Sequence, residues 1–185
     1  QHGIQKMFVE LENYYYYITV TNENYEQPAK PEGSDEWIIK GMYQLFENKE
    51  HQVILLGSGS ILNESVKAIE ILSSVGIVAE VWSVTSFNML RKDGIDKQRF
   101  NELNPDLLSK VSYVEECLSN ESIPVIASTD YMRAYPEQIR SYITAPFYTL
   151  GTDGYGRSDS RERLREFFEI EANNIARTAA YSFFK

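Results

Sequence analysis

The chain has 185 residues, 43% hydrophobic and 24% charged: enough to bury a core in one domain, or one domain plus a tail, and too apolar for a disordered segment. Its net charge of −9 and pI near 4.8 repel phosphate backbones, which argues against nucleic-acid binding while leaving a local basic patch open. A single cysteine, Cys117, excludes an intrachain disulfide and suits a reducing cytoplasm, and no apolar run approaches the ~20 residues that cross a membrane. The opening Gln1-His2-Gly3, without an initiator Met, has the look of a piece cut from a longer protein.

Residues 14–20 are aromatic and β-branched and predict a strand. A polar turn follows at 21–25. Two prolines and a glycine in Gln27-Pro-Ala-Lys-Pro-Glu-Gly33 then mark a linker over 26–33. Ser34 can cap a helix that carries Asp35 and Glu36 in its first turn. Ile38, Gly41, Met42 and Leu45 share one face at helical spacing. Val53-Ile-Leu-Leu56 reads as a strand buried on both faces. Gly57-Ser-Gly-Ser60 turns into a helix through Val75, with Leu62, Val66, Ile69 and Leu72 inward and Gly76 as its C′ residue. Residues 78–84 predict the next strand, and 86–110 read as loop with short helical turns. A short helix near 112–118 precedes a buried strand at 124–127, a helical turn starts at Pro136, and a strand over 147–150 ends at Gly151. Asp159 and Glu162 have capping-box spacing ahead of Leu164, Phe167 and Phe168. Ala172, Ile175, Ala176, Ala179 and Phe183 recur at helical intervals in the last helix. Strands alternating with helices predict a three-layer α/β/α domain around a mainly parallel, mixed sheet.

Each chemical motif has a plainer reading beside it. Gly57-Ser-Gly-Ser-Ile-Leu62 follows a strand and opens a helix, the setting of a dinucleotide fingerprint, with Glu80 near the spacing of a ribose-binding acid. However, Leu62 stands where the third glycine belongs, so a tight strand-to-helix turn is favoured over a self-standing nucleotide-binding module at Gly57–Ser60. His2 and His51, the only histidines, have no ligand spacing to a second His or Cys, and no G-x-S-x-G elbow exists, which argues against zinc and hydrolase chemistry. Cys117, among apolar neighbours, reads as a structural thiol. The tyrosines at 14–17 read as core and interface packing rather than a stacking platform. Asn22-Glu-Asn-Tyr25 ends the first strand, where α/β folds keep their sites, or is a self-capping turn. In Gly151-Thr-Asp-Gly-Tyr-Gly-Arg-Ser-Asp-Ser160, Asp153, Arg157 and Asp159 can form a buried pair network or bind an anion; a structural turn is favoured.

That last segment, continued by Arg161-Glu-Arg-Leu-Arg165 and Phe168-Glu-Ile170, resembles the C-terminal signature of the homodimeric bacterial pyruvate dehydrogenase decarboxylating subunits, which are transketolase-like thiamine diphosphate enzymes. Ordered companions agree across nearly the whole chain: Tyr15-Tyr-Tyr-Ile-Thr19, Asn22-Glu-Asn-Tyr25, Pro31-Glu-Gly33, Leu55-Leu-Gly-Ser-Gly-Ser-Ile-Leu62, Val84-Thr-Ser-Phe87 and Ala127-Ser-Thr-Asp-Tyr-Met132. The resemblance implies a transketolase C-terminal-domain-like fold. Residues 1–25 would end the pyrimidine-binding middle domain, 26–33 would be the linker, and 34–185 the C-terminal domain. The bacterial, cytoplasmic parent would decarboxylate pyruvate on thiamine diphosphate with Mg2+, between glycolysis and acetyl-CoA. It would act as a homodimer and pass the acetyl unit to the lipoyl group of the dihydrolipoyl acetyltransferase core. A transketolase or another 2-oxo acid decarboxylating subunit is the alternative parent. The family's diphosphate–metal motif, Gly-Asp-Gly followed by Asn, is absent; Thr152-Asp-Gly154 is the nearest sequence. This piece is therefore expected to bind neither cofactor nor metal, to be inactive alone and to support dimer assembly, with no nucleic-acid or membrane partner. In the family Asn-Glu-Asn-Tyr is commonly followed by a His lining the substrate side; here that residue is Glu26. The resemblance thus implies Glu23 and Glu26 as active-site neighbours and no catalytic residue beyond them.

Overall fold

The apolar run that begins at Val53 becomes the centre of the molecule. In the structure, a computed structural model that describes residues 1–20, 23–120 and 122–185, strand β2 (Val53–Ser58) has parallel neighbours on both sides. These are β3 (Ala79–Val84) and β4 (Val125–Ser128), and β4 pairs in parallel with β5 (Phe147–Leu150). Strand β1 (Met42–Phe46) pairs antiparallel with the outer side of β3, which gives a five-stranded mixed sheet of order β1-β3-β2-β4-β5. All six residues of β3 are buried, as an interior strand covered on both faces requires.

Helices complete the three layers. α3 (Leu62–Ser74) and α8 (Ala172–Phe183) pack together over one face, where Leu55, Leu72, Val81, Ile126, Ile175 and Ala179 are buried. α4 (Phe87–Leu103) and α5 (Tyr113–Cys117) cover the other with Leu56, Trp82, Phe87, Leu90 and Val114. The remaining helices are short: α1 (His2–Ile4), which runs on as a π-type turn, α2 (Asp35–Lys40), α6 (Ala134–Glu137) and α7 (Arg161–Phe167). A buried pair of hydroxyls, Ser65 Oγ and Ser128 Oγ at 3.0 Å, ties α3 to β4.

Several expectations change. Residues 14–20 form no strand; Tyr15 and Tyr17 are 87% and 86% exposed, so their packing into a core is also overturned. Extended propensity makes no strand without a neighbouring edge to bond. The helical face drawn through Ile38, Gly41, Met42 and Leu45 does not exist. Gly41 ends α2 with φ +117°, and Met42 and Leu45 belong to β1. Ser34 is the N-cap of α2, yet its hydroxyl donates to Pro31 O at 2.8 Å instead of capping. Residues 87–103 are one helix, not a loop. Its N-terminus is capped by Ser86, whose Oγ accepts from the Met89 N–H at 3.2 Å, and only Phe87, Leu90 and Gly94 are buried along it. α6 starts at Ala134, ahead of Pro136. α7 is capped by Ser160, which accepts from the Arg163 N–H, while Asp159 accepts from Ser160's own N–H.

Candidate functional site

In a parallel sheet every strand ends at the same rim, so loops after β2, β4 and β5 converge there. A cleft of about 390 Å3 lies at this rim, lined among others by Tyr25, Ser60, Asp130, Thr152, Arg161 and Arg165. Gly59, with φ +59°, turns the chain from β2 toward α3. Ser60 Oγ donates to Asp130 Oδ2 at 3.1 Å, and Thr152 Oγ1 donates to Asp130 O at 2.9 Å. A carboxylate thus faces the Gly57–Ser60 turn, where a nucleotide phosphate would need a positive or neutral cradle. A Cβ on Gly57 would lie 2.7 Å from Leu62 Cα, so this glycine serves close helix–strand contact. Glu80, the alternative ribose-binding acid, is paired with Ile54 near the start of β3, at the opposite end of the sheet from that turn. There it accepts from Trp82 Nε1 at 2.5 Å and sits 3.2 Å from His51 Nδ1.

The strand-end motif runs along the cleft. Asn22 lies outside the described residues. Glu23 pairs with Arg161, and the Tyr25 hydroxyl accepts from Arg161 Nη1 at 2.9 Å and Arg165 Nη2 at 3.3 Å. Asn63 Nδ2 donates to the main-chain O of Glu26 at 3.1 Å, and the residue is exposed. Arg165 also donates from Nη1 to Glu64 Oε1 at 3.0 Å. Glu64 is 6% exposed; its other oxygen accepts from the Ala172 N–H at 3.2 Å, and Lys67 Nζ lies 2.9 Å from Oε1. An anchored carboxylate in the first turn of α3 therefore fixes Arg165 on α7, and Arg165 reaches Tyr25.

The residues singled out at 151–160 do not assemble into one network. Asp153 accepts from the Arg133 N–H at 3.2 Å and from Arg133 Nε at 2.5 Å. Arg157 instead stacks on Phe167, with its guanidinium carbon 3.8 Å from the ring centre, and Asp159 caps locally. The segment acts as a structural turn. Burial pushes the Cys117 thiol up to about 11, which disfavours the nucleophilic thiolate. Asp130 stands in the sequence only as part of Ala127-Ser-Thr-Asp-Tyr-Met132; its place two residues past a buried parallel strand is the signal that marks it as a site residue.

The family model described as transketolase-like TK C-terminal domain matches residues 41–171. The chain belongs to that family. This transketolase-type domain is 53% identical over 182 residues to the pyruvate dehydrogenase E1 component of Pseudomonas aeruginosa, a match covering 96% of this chain and 21% of that protein. It is 48% identical over 178 residues to the pyruvate dehydrogenase E1 component of Escherichia coli K12, covering 94% and 20%. The chain spans about a fifth of the length of these curated relatives. Among solved structures, a Pichia stipitis transketolase in complex with xylulose-5-phosphate matches with a TM-score of 0.60 at 20% identity, over 80% of this chain and 19% of that one. Leishmania mexicana transketolase matches with a TM-score of 0.56 at 22% identity, over 80% and 19%. Identities this low speak for the fold alone. Among the described residues, no helix of the transketolase-type domain is long and apolar enough to cross a membrane.

Proposed function

We propose that this transketolase-type domain is the C-terminal part of a cytoplasmic bacterial subunit that decarboxylates pyruvate and acetylates the lipoyl group of a dihydrolipoyl acetyltransferase. Residues 1–25 are the end of the preceding domain, 26–33 the linker and 34–185 the domain proper. Its role is to support the homodimer and close one side of the active-site channel. Glu23 and Glu26 are the residues it brings nearest to substrate. The observation that carries this reading is the 53% identity to a pyruvate dehydrogenase E1 component over 96% of the chain, against 20–22% for the transketolases.

In such a subunit, thiamine diphosphate with Mg2+ supplies the carbanion-stabilising chemistry. The residues present do not fit that group. Among the described residues no cluster of three or more His, Cys, Asp or Glu is placed to hold a metal ion, and the Asp153 carboxylate of Thr152-Asp-Gly154 is engaged by Arg133. No step on that group is therefore assigned to the residues of this domain.

The test is an assay of the full-length parent with pyruvate and, separately, with xylulose-5-phosphate. Turnover of pyruvate alone is expected. Sugar-phosphate turnover without pyruvate turnover would replace this reading with that of a transketolase.

A further inference from the structure

The geometry at the cleft rim is not a set of independent surface pairs. It is a chain of contacts that starts in the core and ends on the loop at 23–26. Glu64 is buried and held by the Ala172 N–H of α8. Arg165, its side chain 16% exposed, spans from Glu64 Oε1 at 3.0 Å to the Tyr25 hydroxyl at 3.3 Å. Arg161, one helical turn earlier on α7, reaches the same hydroxyl at 2.9 Å and also pairs with Glu23. The two guanidinium carbons stand 5.9 and 5.7 Å from the Tyr25 ring centre. A phenol oxygen accepts two hydrogen bonds, and here both donors are cations on one helix. On the far side, Asn63 at the start of α3 holds the main chain of Glu26. The loop is thus gripped at Glu23, Tyr25 and Glu26 by two helices whose relative position Glu64 fixes.

We infer that Arg161 and Arg165 are positioning residues that act through the Tyr25 hydroxyl, so that α7 of this domain sets the pose of the Glu23 and Glu26 carboxylates at the substrate site. The inference rests on the proposed placement of that loop beside substrate. It assigns a mechanical task to the arginines of the signature segment, which line the same cleft. The chemistry that answers to this grip is proton and substrate handling by loop carboxylates, which tolerates little displacement: misplacing such a group by 1 Å can cost about 100-fold in rate.

Two readouts on the full-length protein separate this inference from the functional reading beneath it. Hydrogen–deuterium exchange reads the loop itself. Tyr25→Phe, which keeps the ring and removes the shared acceptor, should speed amide exchange across residues 23–27 by about 10-fold, with exchange in the β2–β4 core unchanged. Kinetics with pyruvate read the consequence. Tyr25→Phe and Arg161→Gln should each lower kcat/KM about 10-fold or more at an unchanged melting temperature. The double variant should lose less than the two single losses combined, because both changes remove the Arg161–Tyr25 hydrogen bond. Unaltered exchange at 23–27 overturns the positioning role, whatever the substrate proves to be. Additive kinetic losses, or losses that track a fall in melting temperature, overturn it as well. If the wild-type protein is silent on pyruvate, the functional reading fails, and the exchange result still decides whether the loop is held this way.

Discussion

The carboxylate of Glu64 and the main-chain N–H of Ala172 meet at 3.2 Å, across 108 positions of sequence, and join the first turn of α3 to the first turn of α8. The first N–H groups of a helix have no partner within it, so a buried helix start needs an acceptor from elsewhere. Glu64 provides it, while its other oxygen neutralises Arg165.

Replacing Glu64 by Ala should therefore cost more than a surface pair would. It leaves a mostly buried guanidinium and a buried N–H without their acceptor, a loss of about 3 kcal/mol or more. Urea unfolding should show the midpoint falling with an unchanged slope. A loss under ~1 kcal/mol would place the Glu64–Arg165 pair in the weak surface class.

Gly94 predicts an exception to a general rule. In mid-helix, Gly→Ala usually gains about 1 kcal/mol. Here a Cβ would lie 2.7 Å from Tyr142 Cε1 and closer still to Cζ, and the half-buried ring is packed against the core cluster. Overpacking of this kind costs about 1–3 kcal/mol, so Gly94→Ala should destabilise on balance. In a Tyr142→Ala background the same change should become neutral or stabilising, and equilibrium unfolding of the four variants checks this.

Stability should fall on the alkaline side through α5. Burial pushes the Cys117 thiol from an ordinary value of about 9 up to about 11, and burial raises the Tyr113 phenol too. For a raised folded pKa, the folded state holds the proton more tightly than the unfolded chain. The contribution is full below pH ~9 and is lost as pH climbs toward ~11. Urea midpoints measured between pH 7 and 10.5 should decline, and Cys117→Ala should flatten part of that decline. A wild-type curve that stays level to pH 10.5 would contradict the burial of these groups.

The segment before Ser34 should be dispensable for folding. Both apolar clusters begin after it, at Met42 and Leu45. Among the described residues its ties to the rest include Tyr14 with Lys92, Thr19 with Tyr131, Glu23 with Arg161, the Tyr25 hydroxyl, and the main chain of Glu26 with Asn63, all polar. Exposed pairs contribute about 0–1 kcal/mol each. Removing residues 1–25 should shift the melting temperature by only a few degrees. A loss of cooperative unfolding would show that this segment belongs to the domain.

The four parallel strands were legible because each is a short apolar run between turn residues, and burial on both faces leaves no other place for such runs. Two elements were not. α4 carries little apolar periodicity, since most of its surface meets water, and its sparse anchors Phe87, Leu90 and Gly94 do not draw a stripe. β1 was misread because Met42 and Leu45 satisfy a helical interval by coincidence, whereas Gly41 with φ +117° makes continuation of the helix costly. The site was legible only in pieces. Glu23 and Tyr25 stood out as a strand-end motif, and Arg161 and Arg165 as part of a signature. Their meeting on one hydroxyl depends on 136 and 140 positions of intervening fold, which no local pattern encodes.

The antiparallel strand β1 has a consequence for solubility. It occupies the flank of β3, a strand whose six residues are all buried and whose sequence, Ala-Glu-Val-Trp-Ser-Val, is rich in sheet-forming side chains. Should α2 and β1 detach while the parallel strands persist, β3 would become an open edge with a row of unpaired N–H and C=O groups, a template for pairing with other chains. By pairing with β3, the five residues from Met42 to Phe46 keep that wholly buried strand off the edge of the sheet.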